Sequence, residues 1–349
     1  MFVAFRDLRA AKGRFGLITL VVVMIALLVS FLSGLTAGLA HQNISALQTM
    51  SGDTVVFDDT GSSPSFASSA LSRDQVLTWQ RGGGSVDPVG IAQSQATRSG
   101  GAPAQVALFG DDGAAFGKHT AIRPGAVELS APAAESLSAA VGDRIAVGTG
   151  TFVVTAVGGD DWFAHTPVVW MTLADWHAAE PRGGAATVLV VSGAHDAGAV
   201  NAAAHTTTTT VPGSLHAIAS YQAENGSLTL MSVMLFVISA LVIGAFFTVW
   251  TIQRTPDVAT LAALGATTGS LVRDALGQAL IVLLLGVGIG VGATALAGAA
   301  IGTSMPFVLS ATTTLVPGVA LVGLGLLGAA VALRFLITVD PLTALNQAR

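Results

Sequence analysis

Four long apolar runs dominate the polarity pattern of this chain, and they lie at its two ends. They cover residues 15–40, 226–252, 275–301 and 315–336, and none carries a charged residue in its middle. A helix of about 20 apolar residues spans a bilayer, so each run is expected to be a transmembrane helix. Between the first two runs, across residues 41–225, the pattern changes. Short runs rich in β-branched and aromatic residues recur at 54–57, 105–109, 145–147, 152–157, 168–171 and 187–191, which is how strands read. Helical patterns lie between them at 72–80, 133–140, 173–179 and 196–204, with Ser72 and Thr172 placed to cap two of them by accepting from a free backbone N–H. Gly148-Thr149-Gly150 suits a hairpin turn. The five threonines Thr206–Thr210 read as a linker returning to the membrane. The expected fold is a membrane protein of four transmembrane α-helices, with a large α+β domain inserted between helices 1 and 2.

Composition sharpens this picture. Of 349 residues, 52% are hydrophobic and 10% charged, whereas soluble domains carry about 25% charged residues. The first run could imitate a signal peptide, but signal cores are about 7–15 residues long, so an uncleaved helix is expected. Arg6, Arg9, Lys12 and Arg14 precede this helix, Arg254 and Arg273 lie between helices 2 and 3, and Arg334 and Arg349 lie at the end of helix 4 and in the tail. Basic residues mark cytoplasmic segments. The layout is therefore a cytoplasmic amphipathic leader (1–14), helix 1 (15–40), an extracellular domain (41–225) and helix 2 (226–252). A cytoplasmic segment (253–274), helix 3 (275–301), an extracellular loop (302–314), helix 4 (315–336) and a cytoplasmic tail (337–349) complete it. The extracellular domain holds seven Lys/Arg against sixteen Asp/Glu. The absence of cysteine excludes disulfides and thiolate chemistry, and the net charge of −5 gives no support for a nucleic-acid partner.

Candidate chemistry is sparse. No His-Glu-x-x-His or Gly-x-Ser-x-Gly motif is present, and the seven histidines form no i, i+4 pair. Asp111-Asp112 and Asp160-Asp161 read as turns. Gly286/Gly290, Gly288/Gly292 and Gly298/Gly302 have the spacing that lets helix backbones approach closely. Glu224 stands out, a carboxylate just before the second apolar run. With an early helix start, Tyr221, Glu224, Leu228 and Met231 recur at helical spacing. A carboxylate near a thioether could bind a cation or a metal-porphyrin; equally, Glu224 could be an interfacial side chain held by water and the helix N-terminus. His41, at the outer end of helix 1, and Met24, within it, are further candidates for the same site.

Three segments carry a resemblance to a known family: Ala4-Phe5-Arg6-Asp7-Leu8-Arg9 before helix 1, Gln253-Arg254-Thr255-Pro256-Asp257-Val258 through Leu264-Gly265-Ala266, and Val339-Asp340-Pro341-Leu342-Thr343-Ala344-Leu345. In this order they resemble the FtsX/MacB-type, or type VII, ABC transporter permeases. The resemblance implies a homodimer in the bacterial plasma membrane, in contact with membrane lipids and carrying two copies of a separate cytoplasmic ATPase. That ATPase would bind the ATP and Mg; this chain would have no catalytic site and no cofactor of its own. Arg254, Asp257, Leu261, Leu264 and Gly265 would form the coupling segment that conveys ATPase motion, a mechanotransmission mechanism. Pro256-Asp257-Val258 stands where the family often has Arg-Glu-Ile, which makes this contact less charged. The outer-end carboxylate further resembles the haem-efflux permeases, in which haem is expelled from the membrane after entering laterally from the outer leaflet. Glu224 and Met231 would then be iron ligands, with Tyr221, His41 and Met24 around them. Other implied roles are export of a lipid, lipopeptide or peptide antibiotic, and FtsX-like activation of a cell-wall hydrolase.

Overall fold

The computed structural model describes residues 12–112, 115–117, 122–181, 184–193, 196–253, 260, 264–302 and 305–337. The chain divides into two compact units, residues 39–226 and residues 1–38 with 227–349. In chain order the elements are α1 (Lys12–Ile44), β1 (Thr54–Asp58), α2 (Arg73–Arg81), β2 (Ser85–Arg98), β3 (Pro103–Gly110), β4 (Ala126–Leu129) and α3 (Ala131–Leu137). They continue with β5 (Arg144–Val147), β6 (Gly150–Val157), β7 (Trp162–Phe163), β8 (Thr166–Met171), α4 (Leu173–Ala179), β9 (Val188–Ser192), α5 (Ala197–Ala204), β10 (Thr206–Thr210) and α6 (Val211–Ser214). The chain then forms α7 (Ala219–Gln253), α8 (Thr268–Ile301) and α9 (Ala311–Ile337).

Four of these helices are long and apolar enough to cross a membrane: Phe15–Ile44, Ala219–Gln253, Thr268–Ile301 and Ala311–Leu333. Their shared core is made of Val22 and Ala26 from α1, Phe247 and Trp250 from α7, Leu283 and Val287 from α8, and Leu321 and Ala329 from α9. Lipid supplies no hydrophobic drive between spans, so close packing must hold them. One of the three glycine pairs, and one member of another, show how. A methyl group at Gly286 or Gly290 would fall 2.7 Å from Val22 Cβ or Ala26 Cβ, so α8 meets α1 there. Gly288 and Gly292 meet nothing within 4 Å and lie on the open side of the same helix. Gly298 serves a side chain instead: with Gly34 and Gly38 it makes a notch for the 306–307 segment, and Phe307 fills it, its ring 5.3 Å from that of Phe31. Val308 N donates to Gly34 O at 3.1 Å.

The inserted domain is α+β. Its sheet runs β10-β1-β9-β2-β3-β8-β4-β6-β5, and β5 pairs again with β2. Strands β2, β3, β8, β4, β6 and β5 therefore close into a ring. β2 is 14 residues long because it serves both parts: its first half pairs with β9 and its last residues with β5. β8 is buried along its whole length. It sends Val168 and Trp170 to one core and Val169 and Met171 to the other, since successive side chains point to opposite faces.

The threonine run corrects an expectation. Thr206–Thr210 is not a linker but the edge strand β10, paired antiparallel with β1 from Thr54↔Thr210 to Asp58↔Thr206. β-Branched threonine suits a half-buried pleated strand. Trp79 Nε1 donates to Thr206 Oγ1 at 3.0 Å, Thr206 donates to Asn201 Oδ1 at 2.8 Å, and Asn201 Nδ2 donates to Thr208 Oγ1 at 2.9 Å. The caps at Ser72 and Thr172 are present, and Ser72 forms a full capping box with Gln75.

Candidate functional site

Glu224 lies in the second turn of α7, which does begin early, at Ala219. Its carboxylate is engaged by protein rather than by water alone. His165 Nε2 lies 2.9 Å from Oε1 and 3.0 Å from Oε2, and Asn43 Nδ2 donates to Oε2 at 3.0 Å. Asn43, buried in the last turn of α1, also donates to Leu39 O at 3.2 Å and accepts from Ser220 Oγ at 2.5 Å. Three distant parts of the inserted domain thus meet in one cluster: the end of α1, the β7–β8 hairpin and the start of α7.

The hairpin explains how a histidine reaches this place. β7 and β8 are joined by two residues, Ala164 and His165, with Phe163 paired to Thr166. Their φ angles are 48° and 61°, the arrangement that two-residue hairpins adopt and that usually requires Gly or Asn. Each non-glycine residue in this region costs on the order of 1–3 kcal/mol and persists only where its surroundings fix it. Here Ala164 N donates to Asn43 O at 3.0 Å and His165 N to Gln42 O at 2.9 Å. Those carbonyls belong to the last turn of α1, where a helix leaves its acceptors unsatisfied. The hairpin caps the helix, and capping it brings the imidazole onto Glu224.

The other candidates are placed as follows. His41 is engaged elsewhere: its Nε2 lies 2.9 Å from Asp160 O and 3.0 Å from Asp160 Oδ2. Asp160 is thus a histidine partner as well as a turn residue. Tyr221 packs against the core of the inserted domain, its ring 6.0 Å from that of His216. Met24 and Met231 belong to the membrane unit, and each is 57% exposed. Sequence reasoning found Glu224 but missed Asn43 and His165, which lie 181 and 59 residues from it.

On the opposite end of α7, Arg254, Asp257 and Leu261 fall outside the described residues, as do the segments 4–9 and 339–345 and the side chains of Lys12 and Arg14. Leu264 and Gly265 are described. Leu264 is 80% exposed, and its N–H donates to Thr260 O at 3.1 Å. Gly265 has φ 94°, the left-handed conformation that ends a helical turn, and Thr267 caps α8 by accepting from Ser270 N. Among the described residues, no group of three His, Cys, Asp or Glu side chains could hold a metal ion.

Residues 229–341, which hold most of the last three long apolar helices, match the family FtsX-like permease C-terminal, in keeping with a multi-pass membrane protein. The chain is 26% identical over 366 residues to the "Putative hemin transport system permease protein HrtB" of Staphylococcus haemolyticus, with 99% of each chain covered. The protein of the same name from Staphylococcus epidermidis is 26% identical over 360 residues, again with 99% of each chain covered. Among solved structures, the periplasmic region of MacB from Actinobacillus actinomycetemcomitans aligns with a TM-score of 0.35 at 10% identity, covering 48% of this chain and 94% of that one. The extracellular domain of the transporter YknZ from Gram-positive bacteria aligns with a TM-score of 0.34 at 12% identity, covering 46% of this chain and 99% of that one.

Proposed function

We propose that this permease exports haem, working with a separate cytoplasmic ATPase. The observation that carries the reading is its end-to-end similarity to proteins named as hemin transport permeases, 26% identical with 99% of both chains covered. A similarity that runs through the spans and the inserted domain alike favours a shared cargo over a shared scaffold alone.

In this reading haem enters laterally from the outer leaflet of the plasma membrane. Glu224 and Met231 are its candidate iron ligands; carboxylate oxygen and thioether sulfur are both able to donate to haem iron. Met24 and Met231 are exposed residues, whereas His41 and Tyr221 already have partners in their own domain. The permease works as a homodimer with two ATPase copies. Arg254, Asp257, Leu261, Leu264 and Gly265 form the coupling segment, and the exposed Leu264 next to a left-handed Gly265 suits an apolar docking point. ATP-driven closure of the ATPases moves the spans, and haem leaves outward.

A haemin titration of the detergent-purified permease, followed at the Soret band, tests the reading. Saturable binding is expected, with affinity reduced at least tenfold by Glu224→Ala. A wild-type protein that leaves the haemin spectrum unchanged would sink haem as cargo, and export of another amphiphile would replace it.

A further inference from the structure

We propose that His165 is a positioning residue for Glu224, assisted by Asn43, and that the left-handed β7–β8 hairpin exists to hold its imidazole there. The inference rests on the reading of haem as cargo, because it assigns a role toward the Glu224 ligand.

The protons can be counted. Asn43 Nδ2 carries two hydrogens and has three neighbours: Leu39 O at 3.2 Å, Glu224 Oε2 at 3.0 Å and His165 Nε2 at 3.0 Å. Were His165 Nε2 an acceptor, its lone pair would face a carboxylate oxygen 2.9 Å away, with no proton between them. The consistent assignment puts a hydrogen on Nε2. The ring then donates to Glu224, Asn43 gives its two hydrogens to Leu39 O and Glu224 Oε2, and Asn43 Oδ1 accepts from Ser220. Every polar atom at the centre is satisfied, and the close approach of Nδ2 and Nε2 follows from their sharing one carboxylate.

The same count leaves Glu224 able to bind. A carboxylate has about four lone-pair positions. His165 reaches both oxygens and Asn43 reaches one, so at most three are taken and one remains for a metal. Carboxylates that ligate metals are themselves commonly fixed by hydrogen bonds, and removing such a partner typically weakens metal affinity by 10–100-fold. His165 is 31% and Glu224 37% exposed at the side chain, so the pair is open on one side. The alternative, that His165 is an iron ligand in its own right, meets a steric objection. Its Nε2 is committed to Glu224, and Nδ1, beside the Cβ branch, is the crowded nitrogen for approach to a porphyrin plane.

The test uses haemin with the purified full-length permease. His165→Gly removes the ring while supplying the residue that a φ of 61° favours, so it separates the loss of the side chain from damage to the hairpin. His165→Gln restores an N–H donor near the position of Nε2. The expected results are a 10–100-fold rise in Kd for His165→Gly, partial recovery in His165→Gln, and little further loss when His165→Gly is added to Glu224→Ala. The ferric spin-state signature of the haem that does bind should also change in His165→Gly, which a purely architectural role would leave alone. Wild-type affinity and spectrum in His165→Gly, with Glu224→Ala still impaired, would overturn the positioning role and leave haem transport standing. A full additional loss in the double variant would overturn it as well, since His165 would then act independently of Glu224. Absence of haemin binding by the wild-type permease would remove the haem reading and this inference with it.

Discussion

Among the described residues, two histidine–carboxylate pairs lie beside the end of α1, alike in chemistry and in the exposure of the imidazole but different in what supports them. His41 meets Asp160 across a surface: its ring is 33% exposed, the Asp160 side chain is 69% exposed, and a backbone carbonyl shares the bond. His165 meets Glu224 with Asn43 and Ser220 adding further hydrogen bonds, and a strained hairpin delivers the ring. An exposed ion pair contributes about 0–1 kcal/mol because water and salt screen it. A network whose members each satisfy the others resists the loss of any one, because the remainder are left with unpaired polar atoms. The lesson is that the pairing of residue types says little; the number of partners and the backbone that presents them decide which pair matters.

This contrast can be broken at its strongest point first. Asn43→Ala deprives Leu39 O and Glu224 of a donor and Ser220 of its acceptor at a buried position, and should cost about 2–3 kcal/mol. A large fall in the thermal midpoint of the purified protein would register it, while a midpoint within error of wild type would show the network to be slack. Ala164→Gly should act in the opposite direction. It removes the left-handed strain of one hairpin residue without touching a side-chain bond, and should stabilise by about 1 kcal/mol, seen as a raised midpoint with unchanged haemin affinity. The smallest effect is expected at the exposed pair. His41→Ala should change stability by less than about 1 kcal/mol, and its haemin affinity should remain within about twofold of wild type. A large loss of affinity there would bring His41 back as a ligand and erase the distinction between the pairs.

Much of this architecture was legible in the polarity pattern, because spans and amphipathic strands carry their own periodicity. The failures have physical causes. β2 escaped notice since its sequence, Ser85-Val86-Asp87-Pro88-Val89-Gly90 onward, mixes Pro, Gly and polar residues; what makes it a strand is its hairpin with β3 together with pairing to β9 and β5, which lie far along the chain. The run Thr206–Thr210 has strand propensity but no apolar alternation, and only its bonds with Trp79, Asn201 and β1 decide the matter. The glycine spacing of α8 announced close packing, yet spacing alone does not tell that Gly290 meets Ala26 while Gly292 faces outward. At the site, Glu224 was conspicuous as a carboxylate beside an apolar run. Its partners were not, because Ala164-His165 lacks the Asn-Gly chemistry of a tight hairpin turn and Asn43 is one polar residue at a helix end. The sequence distance between partners, not the subtlety of the chemistry, hid the cluster.

That distance also orders the birth of the protein. Asn43 leaves the ribosome 181 residues before Glu224, so α1 is inserted with the acceptor and donors of its last turn still lacking these partners. The hairpin arrives next, 122 residues after Asn43, and the start of α7 comes last. Contacts of such long separation close late, after the chain between them has paid its loop entropy. The His165–Asn43–Glu224 cluster is therefore expected to close late, after the strands between its members have paired. A defect anywhere in that sheet would leave the cluster open, and protease sensitivity between α1 and α7 during synthesis would report it.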